Sequence, residues 1–348
     1  MDSRPSKHML VTSGRLYSLL LYVYPKQFRQ KYSWEMIQTF RDCCRDSFER
    51  CGGWGLVKWW LFILYDLIMT AILEHLKAVI TLCKRLLGLE REFTMLDNLL
   101  RLDIALQTDV GLKRPHNEDS MVSVVPDDPE ILSKKGALFV VADGMGGHAK
   151  GEVASDMAVK IVNASYYEDD DDDIASSLSR AVKQANRMIH HLAMVEESGM
   201  GTTCIASVLL NDTLFIANVG DSRAYIIRNG LPRQVSQDHS WVAEQVRAGI
   251  LTREQARTHE RRNVIYRSLG CCAEVEVDIF TEQVQDGDVL VLCTDGLSEV
   301  IDEDELCSIV EQYESQESVT RLIARANECG GPDNITAIVA RVSLPQSA

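Results

Sequence analysis

The sequence predicts an α+β layered fold preceded by a small all-α unit. Three observations carry this. Apolar, strand-like segments follow one another in consecutive runs between residues 101 and 343. Pairs of helical stripes separate those runs, a pattern that suits layered sheets and helices. Residues 1–95 are helical by pattern, with no glycine-rich turn except Cys51-Gly52-Gly53. The chain of 348 residues therefore divides into a helical prefix, 1–95, and a second unit, 96–348.

Taken in order, alternation from Asp103 to Gly111 opens the second unit as a strand. Ala137 to Ala142 is a continuous apolar run and reads as a buried strand. Val153, Ala154, Met157, Ala158, Ile161 and Val162 fall on one helical face. Ile174, Leu178, Ala181, Val182, Ala185, Ile189 and Leu192 form a second such stripe. Both stripes read as core. Strands follow near 202–210, 213–219 and 222–228, and Asn229-Gly230 is a hairpin turn signal. Asp288 to Cys293 is another apolar strand, two helices lie between Glu303 and Glu328, and Ile335 to Val342 is the last strand.

Acids recur at the ends of these strands. Asp143 follows the 137–142 run and is followed at once by Gly144, where bare backbone can approach a ligand closely. Thr294-Asp295-Gly296 ends the next apolar strand, Asp333-Asn334 precedes the last, and Asp221 lies between two strands. Arg114 precedes the pair Glu118-Asp119. Singly, each is as well explained as a turn or cap. Together they suit an oxygen-loving divalent cation.

Six motifs in this order, Arg114-x-x-Asn117-Glu118-Asp119, Asp143-Gly144-Met145-Gly146-Gly147, Gly201-Thr202-Thr203, Gly220-Asp221-Ser222-Arg223, Thr294-Asp295-Gly296 and Asp333-Asn334, resemble those of the metal-dependent type 2C protein serine/threonine phosphatases, bacterial branch. The resemblance covers about residues 101–343. It implies two packed antiparallel sheets flanked by helices, with Mn²⁺ or Mg²⁺ in a cleft at one edge. It implies two ions and a third, weaker one. Asp143 would bridge two ions and the Gly144 carbonyl would bind one. Asp295 and Asp333 would complete the other site, and Asp221 with Asp295 would hold the third. Glu118 and Asp119 would grip ion-bound waters, and Arg114 would clamp the substrate phosphate. The expected activity is hydrolysis of phosphoserine and phosphothreonine in proteins phosphorylated by a bacterial kinase. The alternatives are a catalytically weak binding module of the same fold and a phosphatase of a small phosphomonoester.

Two departures stand out. Met145 occupies a position where eukaryotic members carry a histidine proposed as general acid, as it does in bacterial members. His148, three residues on, reads as a surface residue at a helix start. In the variable flap near 238–270 many bacterial relatives read His-Pro-x-x-Asn. Here the segment is His259-Glu260-Arg261-Arg262-Asn263, and the missing proline is expected to loosen the loop.

Charge separates the two units. Residues 1–95 hold 14 Lys/Arg and 9 Asp/Glu, a balance of +5, which leaves −20 for the remainder of a chain of net −15. So acidic a second unit argues against a nucleic-acid substrate. The run Glu168 to Asp173 reads as a solvated loop between helices. Ten scattered cysteines without a Cys-x-x-Cys suit a reducing cytoplasm and buried or inert thiols, with Cys204 and Cys293 in strands. No secretory signal is visible at the amino terminus. In the prefix, Tyr24-Pro25-x-x-Phe28-Arg29-x-x-Tyr32-x-x-Glu35-Met36 resembles the helical segment ahead of some bacterial permeases. The run Trp59 to Leu73 is shorter than the ~20 residues a spanning helix needs and contains Asp66, whose charge at mid-bilayer costs at least ~2.5 kcal/mol. The expectation is a small bundle in peripheral contact with a membrane through Trp54, Trp59, Trp60, Lys84 and Arg85, with a true span over 54–80 as the alternative.

Overall fold

The structure is a computed structural model and describes residues 101–146 and 150–344. The helical prefix, its expected membrane contact and His148 lie outside the described residues. Among those described, no helix is long and apolar enough to cross a membrane.

Two antiparallel sheets face each other, each covered by helices. The first runs β1 (Arg101–Asp109), β11 (Ile335–Ser343), β10 (Val289–Cys293), β7 (Arg223–Arg228), β8 (Leu231–Gln234). The second runs β2 (Asp119–Val124), β3 (Ala137–Met145), β5 (Cys204–Leu210), β6 (Thr213–Val219), β9 (Asp278–Gln283), with the short β4 (Gly201–Thr202) paired to the end of β3. A short helix α1 (Pro129–Lys135) joins β2 to β3. The long helices α2 (Lys150–Glu168) and α3 (Ile174–Val195) cover the second sheet. Two small helices, α4 (Trp241–Arg247) and α5 (Arg253–Arg257), form the flap. A single turn α6 (Asp295–Ser298) follows β10. Helices α7 (Glu303–Gln312) and α8 (Ser315–Glu328) cover the first sheet.

The period of two explains why the central strands are apolar throughout. Leu138, Val140 and Ala142 pack against Ala154 and Ala158 of α2 and Leu178 and Ala181 of α3. The alternate residues Phe139 and Val141 meet Leu290, Leu292, Ile338 and Ala340 of the other sheet. Val289, Val291 and Cys293 turn outward to α7 and α8. Each such large side chain stabilises the fold by roughly 1.5–3 kcal/mol. The shared inner layer also fixes where the strand ends of one sheet stand against those of the other.

Most expected elements are present, with one difference. Val153 is 40% exposed, because Ala154, Ala158 and Val162 form the buried line of α2 and Val153 sits on its flank. The acidic run is the exposed loop expected between the two helices, and it also caps: Asp173 accepts from the amides of Ala175 and Ser176 at the start of α3, and Arg180 binds Asp169 and Asp171. In the flap, where the proline is missing, side chains stack. The Trp241 ring lies 4.8 Å from that of His259 and 5.3 Å from the Arg261 guanidinium, and Trp241 N donates to Val264 O.

Candidate active site

The acids singled out in the sequence come from both sheets and meet at one edge. Asp119 opens β2 and stands directly across from Asp143 near the end of β3. Asp221 lies between β6 and β7, Asp295 follows β10, and Asp333 precedes β11. Asp295 is close enough to Asp143 for its charge to raise the Asp143 pKa. Arg114, in the β1–β2 loop, donates from Nη2 to Asp333 Oδ2 at 2.6 Å and also feels the charges of Asp143 and Asp295. Asp221 is close enough to raise the pKa of Asp143, and Asp295 does the same to Asp221.

Bare backbone makes this convergence feasible. A Cβ on Gly144 would lie 2.1 Å from Gly151 O and 2.5 Å from Glu118 O, so β3, the start of α2 and the β2 entry cross where no side chain fits. Gly144 N donates to Glu118 O at 3.1 Å. Gly296 has the same role on the other sheet: its Cβ would meet Asn334 O at 1.9 Å. Asn334 ties the sheets together. Its Oδ1 accepts from Glu118 N, and its Nδ2 donates to Val110 O and His116 O, which pins the loop carrying Arg114.

The electrostatics call for a cation. Burial, then the charges of Asp119, Asp295 and Asp221, push the Asp143 carboxyl well above its usual range. Burial and Asp295 do the same to Asp221, and burial and Asp333 raise Asp295. Asp119 is pushed up to about 7 by burial, although Thr336 and Thr294 donate to its Oδ2 at 2.7 and 2.9 Å. Asp119 Oδ1 and Asp295 Oδ1 are buried without a hydrogen-bond partner. Acids that repel one another and keep unpartnered oxygens suit a hard divalent cation, and the donors at hand are oxygen. Mn²⁺ or Mg²⁺ fits this all-oxygen set better than zinc, which favours nitrogen and sulfur ligands. Among the described residues no group of three Asp, Glu, His or Cys side chains is arranged to hold an ion unaided. Backbone carbonyl and water would therefore complete the coordination, as Mg²⁺ prefers. The Glu118 carboxyl group borders the same cleft, 2.8 Å from where a Gly151 Cβ would stand.

Four threonine hydroxyls here carry weight that the sequence reading did not assign. Thr203 Oγ1 accepts from Asp143 N at 2.9 Å and lies 2.7 Å from Ser222 Oγ, next to Asp221. Thr202 Oγ1 donates to Asp143 O at 2.8 Å. Thr294 and Thr336 bind Asp119, and Thr336 N donates to Thr294 Oγ1. Their motifs were visible, but a threonine beside a strand end carries no mark of what it will bind. Glu299 was also missed; burial and Asp295 raise its pKa to about 7. It lines a cavity of about 660 Å³ between the flap and the α6–α7 region, beside the carboxylates rather than over them.

Comparison with known proteins places these features. The family model described as protein phosphatase 2C matches residues 126–340. A serine/threonine phosphatase stp of Listeria innocua is 36% identical over 247 residues, 69% of this chain and 96% of the relative. The crystal structure of the Mycobacterium tuberculosis serine/threonine phosphatase PstP/Ppp superposes with a TM-score of 0.63 at 36% identity, covering 70% of this chain and all of that one. The catalytic domain of PstP in complex with 2 manganese ions gives 0.62 at 35% identity, with the same coverage. The permease resemblance of the prefix finds no support among these matches. The chain belongs to the protein phosphatase 2C family.

Proposed function

We propose that this protein is a metal-dependent serine/threonine protein phosphatase whose substrates are phosphoproteins. The observation that carries the reading is the convergence of Asp143, Asp221, Asp295 and Asp333 from two sheets, with Arg114 at their mouth. Bound Mn²⁺ or Mg²⁺ supplies a water of lowered pKa and polarises the phosphoryl oxygens. Asp143, the Gly144 carbonyl, Asp295 and Asp333 would hold two such ions, and Asp221 with Asp295 would hold a weaker third. Glu118 and Asp119 would orient water. Arg114, held by Asp333, presents its planar fork to the substrate phosphate.

Two further parts of the proposal concern context. The substrates are proteins phosphorylated by a bacterial serine/threonine kinase, a reading supported by the bacterial relatives named above. The protein acts in the cytoplasm, and residues 1–95, with their balance of +5 and clustered tryptophans, set location or partner choice at a membrane surface. Phosphate release from a phosphothreonine peptide and from a small phosphomonoester, each titrated with Mn²⁺, tests the central reading. Mn²⁺-dependent turnover that favours the peptide is expected. Binding without turnover would make the protein a binding module, and preference for the small ester would move the substrate class.

A further inference from the structure

Not all the thiols are buried. Cys204, Cys293 and Cys307 are, but the adjacent Cys271 and Cys272 are both exposed. They lie in a run of bends, 270–274, so no extended alternation forces their side chains to opposite faces. Ser268 Oγ donates to Cys271 Sγ at 3.0 Å. That sulfur rests against the active-site hairpin. A Cβ on Gly201 would stand 3.1 Å from Cys271 Sγ and 3.6 Å from Met145 Cγ, and Gly201 pairs with Met145 two residues beyond Asp143.

Both sides of this short loop are tied down. Leu269 exchanges two backbone hydrogen bonds with Thr202, at 2.8 and 3.1 Å, and the Thr202 hydroxyl donates to Asp143 O. On the other side Asn186 of α3 accepts from Gly270 N and donates to Cys272 O at 3.0 Å and Ala273 O at 3.2 Å. A change at the 271–272 peptide therefore reaches Asp143 through one strand pairing and one hydroxyl.

We propose that Cys271–Cys272 is an oxidation site for hydroperoxides, which closes to a vicinal disulfide and displaces the hairpin that holds Asp143. Cys271, as thiolate, attacks one peroxide oxygen; an S–O bond forms, the O–O bond breaks, and hydroxide leaves and is protonated to water. The sulfur is oxidised by two electrons and the peroxide reduced by two. Cys272, as thiolate, then attacks the sulfenic sulfur; an S–S bond forms, the S–O bond breaks, and hydroxide again leaves as water. Two thiols and one hydrogen peroxide give one disulfide and two waters. Neighbouring Cα atoms stand about 3.8 Å apart across a trans peptide, below the roughly 4.4–6.8 Å that disulfides adopt. Closure must turn the 271–272 peptide and draw Cys272 O away from Asn186.

The test treats the full chain with hydrogen peroxide, quenches with catalase, and reads two quantities. Cleavage at glutamates, after Glu260 and Glu274, releases 261–274 with this pair and no other cysteine. That peptide is expected to lose two hydrogens while turnover of a phosphothreonine peptide falls about tenfold or more, the scale of a small misplacement of reacting groups. Dithiothreitol restores both. Cys271→Ser keeps untreated activity and resists peroxide. Cys272→Ser is oxidised at Cys271 to sulfenic and higher acids, so its lost activity does not return in full. Intact thiols in 261–274 while activity falls, inactivation of Cys271→Ser at the wild-type rate, or a disulfide without loss of turnover each overturn the proposal. Absence of turnover in untreated protein would instead be a failure of the phosphatase reading, and the peptide map would still be readable.

Discussion

At the scale of single residues, the acids differ in what their removal takes away. Asp143 and Asp295 are each assigned to two ion positions, so Asp143→Ala or Asp295→Ala is expected to cost more than the roughly 10–100-fold typical of outer-sphere partners. Asp221→Ala should be milder at saturating Mn²⁺, because the proposed role gives it only the weakly held ion. A metal titration of turnover separates these cases; equal losses for Asp221→Ala and Asp143→Ala at saturating Mn²⁺ would refute the division of roles. Thr336→Val removes one of two hydroxyl donors from the buried Asp119. It should weaken apparent Mn²⁺ affinity about 10–100-fold with smaller change in kcat at saturation. Arg114→Ala should raise KM more than it lowers kcat, since phosphate binding is shared by ground and transition states. A kcat loss at unchanged KM would assign Arg114 to the transition state instead.

Among the elements, the loop of Asp221 is clamped by His239, at the root of the flap. Gly220 N donates to His239 Nδ1 at 3.0 Å and His239 N donates to Gly220 O at 2.9 Å. The other ring nitrogen, Nε2, lies 3.1 Å from Asp278 Oδ2, with Arg267 beside both. A proton on Nδ1 would face the Gly220 amide, so the ring is held neutral. Burial lowers its pKa, outweighing the opposing hydrogen bond with Asp278. A pKa lowered by folding gives stability that is full above the unfolded histidine value, near 6.5, and is lost as pH falls toward the folded value. Urea midpoints from pH 7.5 down to 5.5 should show this loss in the wild type and less of it in His239→Asn, which keeps an acceptor near Nδ1. Identical pH profiles would dismiss the clamp. On the other sheet, Gly296→Ala places a Cβ 1.9 Å from Asn334 O and should destabilise by about 3 kcal/mol. The elements legible in sequence were those with a strong period. Ala137–Ala142 and the α3 stripe are long and apolar, and Asn229-Gly230 is the turn between β7 and β8, with both residues at positive φ. Strand β9 and the flap helices passed unread. In β9 the burial is only partial, and α4 and α5 are too short for a stripe to emerge.

Across the molecule, the candidate site was legible because its acids stand in short motifs, and its supports were not. Asp143 announces itself through the glycines after it; Thr203, Thr294 and Thr336 gain meaning only when strands distant in sequence pair. The −20 balance of residues 96–348 is concentrated in part at this edge, where carboxylates repel unless a cation joins them. A chain beginning near Met95 keeps every assigned site residue and is expected to fold and retain turnover. Fractionation of cells making the full or shortened chain should then differ in distribution; identical distribution and partners would remove the targeting role of 1–95. The central claim is that these acids work through divalent ions. The direct measurement is phosphate release from a phosphothreonine peptide after exhaustive chelation and stepwise return of Mn²⁺ or Mg²⁺. The account predicts that turnover vanishes with the ions and returns with them, and full turnover in the chelated protein would contradict it.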